Sequence, residues 1–194
     1  PQKNNLMLKK VLKWSGISLL TVVIALALLP FLFKDKIKSK IIESINKNVN
    51  ATVALEDVSL NLFKSFPKAT VTLDKMSVIN KAPFQGDTLV YSERIDLKIS
   101  MTIQSIGTEN TKINILFNKD GIGNYDIAIK KEANETNEKE KPFALSIQNY
   151  EVENLKFTYK DAASKMKLVL DSINHEGMGN FEKEVLDLDT KTTA

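Results

Sequence analysis

The sequence predicts a mainly β protein with one N-terminal transmembrane helix and a short amphipathic helix ahead of a body of antiparallel strands. Three observations predict this. Residues 14–33, "WSGISLLTVVIALALLPFLF", form an apolar run without a charge. A helical stripe follows over residues 34–50. From Ala51 onward the apolar period changes from 3.6 to 2, which is the change from helix to strand.

The apolar run is 20 residues long. At ~1.5 Å per residue it spans roughly 30 Å, the thickness of a bilayer's hydrocarbon core. Trp14 lies at one rim and Phe31 and Phe33 at the other, as aromatic side chains do at membrane interfaces. Pro30 sits close to the end, where a lost backbone hydrogen bond costs least. The alternative is a cleaved signal peptide, but the run is long for one and no small-x-small site follows it. Lys3, Lys9, Lys10 and Lys13 precede the run; Lys34, Lys36, Lys38 and Lys40 follow it. The positive-inside count is therefore tied and leaves the orientation open.

Residues 34–50 carry Ile37, Ile41, Ile42, Ile45 and Val49 on one stripe. Such a stripe either lies on the bilayer surface or covers the start of the next domain. Beyond it a unit recurs: alternation, a two-residue polar break, alternation resumed. Val53 and Leu55 precede the break Glu56-Asp57, and Val58, Leu60 and Leu62 follow. Val71 and Leu73 precede Asp74-Lys75, and Met76 and Val78 follow. The unit returns around Gln148-Asn149, Glu153-Asn154 and Asp171-Ser172. A two-residue break restores the same face only where the chain bulges or turns.

Simpler strands are expected at 89–101 (Ile95, Leu97, Ile99, Met101), 112–118 (Ile113, Ile115, Phe117) and 124–130. The last two flank "NKDGIG", whose Asp120-Gly121 is a hairpin signal. Residues 131–142 read as a polar loop, and 143–194 continue the strands. Beginning at Pro1 and stopping at "KTTA", the chain reads as a piece of a longer protein. A sandwich is the default for such strands, but no further helix follows residue 50 to cover an oily face. A curved sheet holding something apolar is the other solution.

Composition excludes several functions. The net charge is +3, Arg94 is the only arginine and cysteine is absent. A nucleic-acid partner is not expected, since bidentate phosphate and base readers are usually arginine. Thiol catalysis, disulfides and thiolate metal sites are impossible. His175 has no second histidine with which to share a metal and reads as a non-catalytic surface or turn residue. "GIGNYD" lacks the third glycine of a dinucleotide site. No catalytic residue, metal site or cofactor is expected.

The segments "VALEDVSLNLFKSFPKATVTLDKMSVIN", "SERIDLKISM" and "TKINILFNKDGIGNYDI", after one span and one helix, resemble the N-terminal region of AsmA-like proteins, the group that includes TamB-type proteins. The likeness covers residues 8–130 best. The family usually has room for a turn and another strand between Met101 and Ile113, where this chain has only "TIQSIGTENTK". The resemblance implies a bacterial inner-membrane anchor with residues 1–13 cytoplasmic and the body periplasmic. It implies a curved antiparallel β-groove of the bridge-like lipid-transfer type, which carries phospholipid between inner and outer membrane and so maintains the outer membrane, with the inner-membrane bilayer and bound phospholipid as partners. The groove lining expected is Val53, Leu55, Val58, Leu60, Leu62, Val71, Leu73, Met76, Val78, Ile95, Leu97, Ile99, Met101, Ile113, Ile115 and Phe117. The competing expectation is an anchored scaffold subunit of an envelope protein complex.

Overall fold

The structure, a computed structural model, describes residues 2–65, 67–100, 102–129, 145–179 and 188–194, and their side chains except those of 2–12, 25–31, 33, 63, 145 and 146. Among the described residues one helix, α1 (Gln2–Asn46), leads into eight strands. These are β1 (Ala51–Ala54), β2 (Asp57–Ser65), β3 (Lys68–Asn80), β4 (Thr88–Ile99), β5 (Ile103–Phe117), β6 (Leu145–Asp161), β7 (Met166–Gly179) and β8 (Leu188–Thr193). They form one curved, open sheet in the order β1-β3-β4-β5-β6-β7-β8. β2 also pairs with β3, beside β1. β1 lies along residues 77–80 of β3 and β2 along 68–74, so the two are one strand interrupted at Leu55-Glu56.

Several expectations are corrected here. The span and the amphipathic helix are not separate elements: α1 runs unbroken through Pro30 and Lys34 to Asn46. Among the described residues no helix is long and apolar enough to cross a membrane. Phe31, Phe33 and most of the second half of the expected span lie outside the described side chains. The sheet is not wholly antiparallel, because β5 and β6 run parallel. Parallel neighbours need a crossover of a dozen residues or more, and residues 118–144 supply it. The expected polar loop 131–142 lies outside the described residues.

The strand expected at 124–130 does not form over its described part. The Asp120-Gly121 turn is made: the Asn118 side-chain oxygen accepts from the backbone N–H of Asp120 and of Ile122, both at 2.9 Å. Gly121 takes φ 76°, which suits glycine. The chain then leaves the ladder after single bridges and returns to the end of α1. There Asn50 N–H donates to the Ile127 carbonyl at 2.6 Å. "TIQSIGTENTK" forms most of β5, a strand of 15 residues that extends about 50 Å.

The core lies between α1 and β1–β4. Ala51, Val53, Val78 and Leu89 pack with Ile45, Val49 and Ile127. Leu55, Val58 and Leu73 pack with Ile37, Ile41 and Ile42. The isoleucine stripe therefore covers the start of the sheet.

Candidate functional site

The sequence breaks organise the whole sheet. An L-residue in the left-handed region inserts one extra residue and lets alternation resume on the same face. Lys75 (φ 48°), Asn154 (φ 52°) and Ser172 (φ 57°) do this at three of the breaks read from sequence. The break Glu56-Asp57 separates β1 from β2. The break at Gln148-Asn149 is a register shift, with Ile103 opposite Leu145 but Ser105 opposite Asn149. Asn110 (φ 50°) adds a break in β5.

These positions line up across the strands as a crease. Lys75 pairs with Glu56 at 2.8 Å. Asn110 donates to Glu93 at 2.7 Å, and Asn154 donates to Asn110 at 2.6 Å. Beside the crease the Ser92 and Thr111 hydroxyls meet at 2.9 Å, both buried.

Because each strand restores its phase at the crease, apolar residues align in rows across the sheet. One row runs Val53, Val78, Val90, Ile113, Phe157, Leu170 through five direct pairings. Beside it runs Ile115, Tyr159, Leu168. On the other side of the crease run Leu60, Val71, Leu97, Ile106, Tyr150. Burial changes sharply along these rows. Val53 is 3% exposed and Val78 8%, whereas Leu168 and Leu170 are 45% and 44% exposed. α1 and the turn after it pack over β1–β3 through Ile37, Ile41, Ile42, Ile45 and Val49, whereas on β5–β7 Tyr125 packs at one end, against Phe117.

The expected lining residues divide accordingly. Val53, Leu55, Val58, Leu73 and Val78 are sealed core, not an open wall. Val71, Met76, Ile95, Leu97 and Ile115 are partly buried and pack against that core. Leu60, Leu62, Ile99, Ile113 and Phe117 are half-buried. Met101 lies outside the described residues. Only the β5 members Ile113, Ile115 and Phe117 border the uncovered region. Phe157, Tyr159, Leu168 and Leu170 complete it and were not among the expected lining. Their signal was present in sequence, since Leu155, Phe157, Leu168 and Leu170 carry the same alternation.

Aromatic rings close the end of this strip farthest from the β2–β3 turn. Phe117 packs at 5.7 Å on Tyr125 and 5.6 Å on Tyr159. Across the crease, the Tyr150 hydroxyl and His175 Nε2 lie 2.6 Å apart, and His175 Nδ1 lies 2.7 Å from the Thr192 hydroxyl. His175 is thus a half-buried strand residue joining β6, β7 and β8 rather than a turn residue. The Tyr150 ring covers Gly177, where a Cβ would come within 2.5 Å of it.

The opposite face is polar. It holds a cleft of about 530 Å³ lined by Arg94, Asp96, Glu109, Glu151, Glu153 and Lys191 among others. Its charges are partly paired, Arg94 with Glu109 at 3.4 Å and Asp74 at 3.8 Å. Asp96 accepts from Lys64 at 2.7 Å and Thr72 at 2.5 Å. Burial pushes the Asp96 carboxyl up, but the Lys64 ammonium and Thr72 hydroxyl outweigh it and hold it below the usual carboxylate value. Among the described residues no group of three or more histidine or acidic side chains could hold a metal.

No protein family, curated protein or solved structure matches the chain.

Proposed function

We propose that this is an AsmA-like protein, anchored in a bacterial inner membrane with its body in the periplasm. It holds phospholipid acyl chains on the uncovered strip of β5–β7 and passes lipid toward the outer membrane. It works by burial and release, without catalysis. The observation that carries this reading is the row from Val53 to Leu170. The apolar surface that α1 seals at one end continues in register, unsealed, at the other. A contiguous apolar surface of this kind marks an interaction site, and acyl chains suit its chemistry. The anchor is supported by the uncharged run within α1. Its described members Trp14 to Ile24 are exposed all round, with Trp14 at 70% and Leu19 at 67%.

The test is lipid extraction from purified protein. More than one phospholipid per chain, lost in Phe157→Asp and Leu170→Asp, supports the reading. A folded body that carries no lipid in either form defeats it. A scaffold is the second reading, and one observation favours it. β8 pairs only with residues 174–179 of β7, so among the described residues Met166–Ser172 has no neighbour on that edge. An open edge with exposed Leu168, Val169 and Leu170 suits strand addition by a partner. Lipid-free protein that co-purifies with a partner would select it.

A further inference from the structure

The way α1 is fastened to the sheet fixes which end of the sheet meets the membrane. Three tethers occur in order. Asn46 exchanges hydrogen bonds with the Val53 backbone at 2.8 and 3.4 Å. Lys38 Nζ donates to the Glu56 carbonyl at 2.5 Å. Lys34 Nζ pairs with Asp57 at 2.5 Å. Descending the helix from Asn46 to Lys34 therefore means ascending the chain from Val53 to Asp57. β1 and β2 run antiparallel to α1, toward its apolar segment.

The uncharged run ends at Phe33, one residue before the last tether. β2 continues from Asp57 to Ser65 in that same direction, about 26 Å at 3.3 Å per residue. The β2–β3 turn thus extends past Phe33, on the side of the apolar run. The β4–β5 turn lies at the same end, because β4 runs alongside and antiparallel to β3. An open sheet edge cannot enter hydrocarbon, where its backbone groups would go unsatisfied. A hairpin beside an inserted helix must therefore turn off the helix axis, as the twist of a sheet allows.

Charge at this end agrees. Residues 58–73 and 97–108 contain Lys64, Lys68 and Lys98 and no aspartate or glutamate; Lys64 is paired with the neighbouring Asp96, so Lys68 and Lys98 carry the positive charge of this end. The opposite end, around residues 118–126 and 161–165, carries Asp120, Asp126 and Asp161 beside Lys119 and Lys165, a net charge of −1 against the positive charge at this end.

We infer that the end of the sheet bearing the β2–β3 and β4–β5 turns is seated on an anionic membrane surface, with Lys68 and Lys98 facing the headgroups. This rests on the anchor proposed above. It makes the β6–β7 turn at residues 162–165 the end that projects away from the membrane, since β5 and β6 both run away from it.

The absence of cysteine and the single tryptophan make the test direct. Pro67→Cys and Ala163→Cys, both at exposed positions, are labelled with an environment-sensitive fluorophore in the full chain. Each is reconstituted into phosphatidylethanolamine–phosphatidylglycerol vesicles containing a lipid spin-labelled near the headgroup. Trp14 fluorescence reports insertion in the same samples. The label at 67 should be quenched at least twofold more than the label at 163. Replacing phosphatidylglycerol with phosphatidylcholine should weaken that quenching. Trp14 quenched with the two labels quenched equally, or with 163 quenched more, overturns the seating while leaving the anchor. Trp14 unquenched overturns the anchor and the seating with it.

Discussion

Leu73 on β3 and Leu170 on β7 occupy the same face of one sheet, four strands apart, yet Leu73 is 5% exposed and Leu170 is 44%. The strands beneath them are built alike, with alternating side chains and a left-handed residue near the middle. What differs is the cover. Ile37, Ile41 and Ile42 of α1 rest on Leu73 and its neighbours, and no described residue rests on Leu170. Alternation in a strand thus specifies a face to be covered but not what covers it. One half of this face is a protein core; the other is a surface of the same chemistry left open.

The sharpest way to break that comparison is to place a charge in each half. Leu73→Asp buries a carboxylate without a partner, which costs several kcal/mol of the roughly 5–15 available to a domain. It should abolish cooperative thermal unfolding. Leu170→Asp lies where water reaches, so it should lower stability by about 1 kcal/mol or less while reducing bound lipid several-fold. Circular dichroism melts and lipid content measured on both variants decide the matter. Equal collapse in the two would mean that Leu170 is covered after all.

The crease is what joins the two halves, and Asn110 sits at its centre. Asparagine tolerates the left-handed region, whereas an alanine there costs roughly 1–2 kcal/mol. Asn110→Ala also loses the bonds to Glu93 and Asn154. It should destabilise by about 2 kcal/mol, and Asn110→Gly, which keeps the backbone free, by about half of that. If alanine and glycine behaved alike in denaturant titrations, the left-handed conformation would not be the source of the effect.

Sequence reasoning reached the crease only in part, for a physical reason. Breaks were legible where apolar residues flank them, as Leu73 and Met76 flank Asp74-Lys75. In β4 and β5 the flanking inward residues are Ser92 and Thr111, whose hydroxyls satisfy each other. Polar inward residues leave no hydrophobic phase to follow, so the slip at Glu93 and Asn110 was invisible. The isoleucine stripe of 34–50 was legible as a stripe, with both of its destinations open. The parallel β5–β6 pairing was not legible at all: the Asp120-Gly121 turn forms as its residues require, but Ile127 is claimed by the helix end instead of the ladder. That competition is tertiary and leaves no local mark.

Beside the sealed half, Asp96 gives a pH-dependent probe. Its lowered pKa means that the folded state holds the ionised form more firmly than the unfolded chain does. The associated stability is present above the unfolded value of about 3.9 and is lost as pH falls through the lower folded value. Lys64→Met removes the ion pair and should reduce stability by roughly 0.5–1 kcal/mol at pH 7. The gap between variant and parent should close as the pH approaches 2–3. A gap that persisted there would trace to packing of the Lys64 stem rather than to charge.

The smallest effect expected lies where the two halves meet. Thr108 stands between Ile95 of the sealed half and Val152 of the open half. Its hydroxyl oxygen is buried without a hydrogen-bond partner. An unsatisfied buried hydroxyl costs about 1 kcal/mol or more. Valine has nearly the same shape and no such group, and it favours a pleated strand at least as well. Thr108→Val should therefore raise stability by up to about 1 kcal/mol and extend the apolar row of Leu73 and Ile95 unbroken to Val152. If the strip is a path for acyl chains, removing this one polar atom should leave bound lipid the same or higher. A melt that falls instead of rising would mean that water reaches the hydroxyl, placing the margin of the sealed half on the other side of β5.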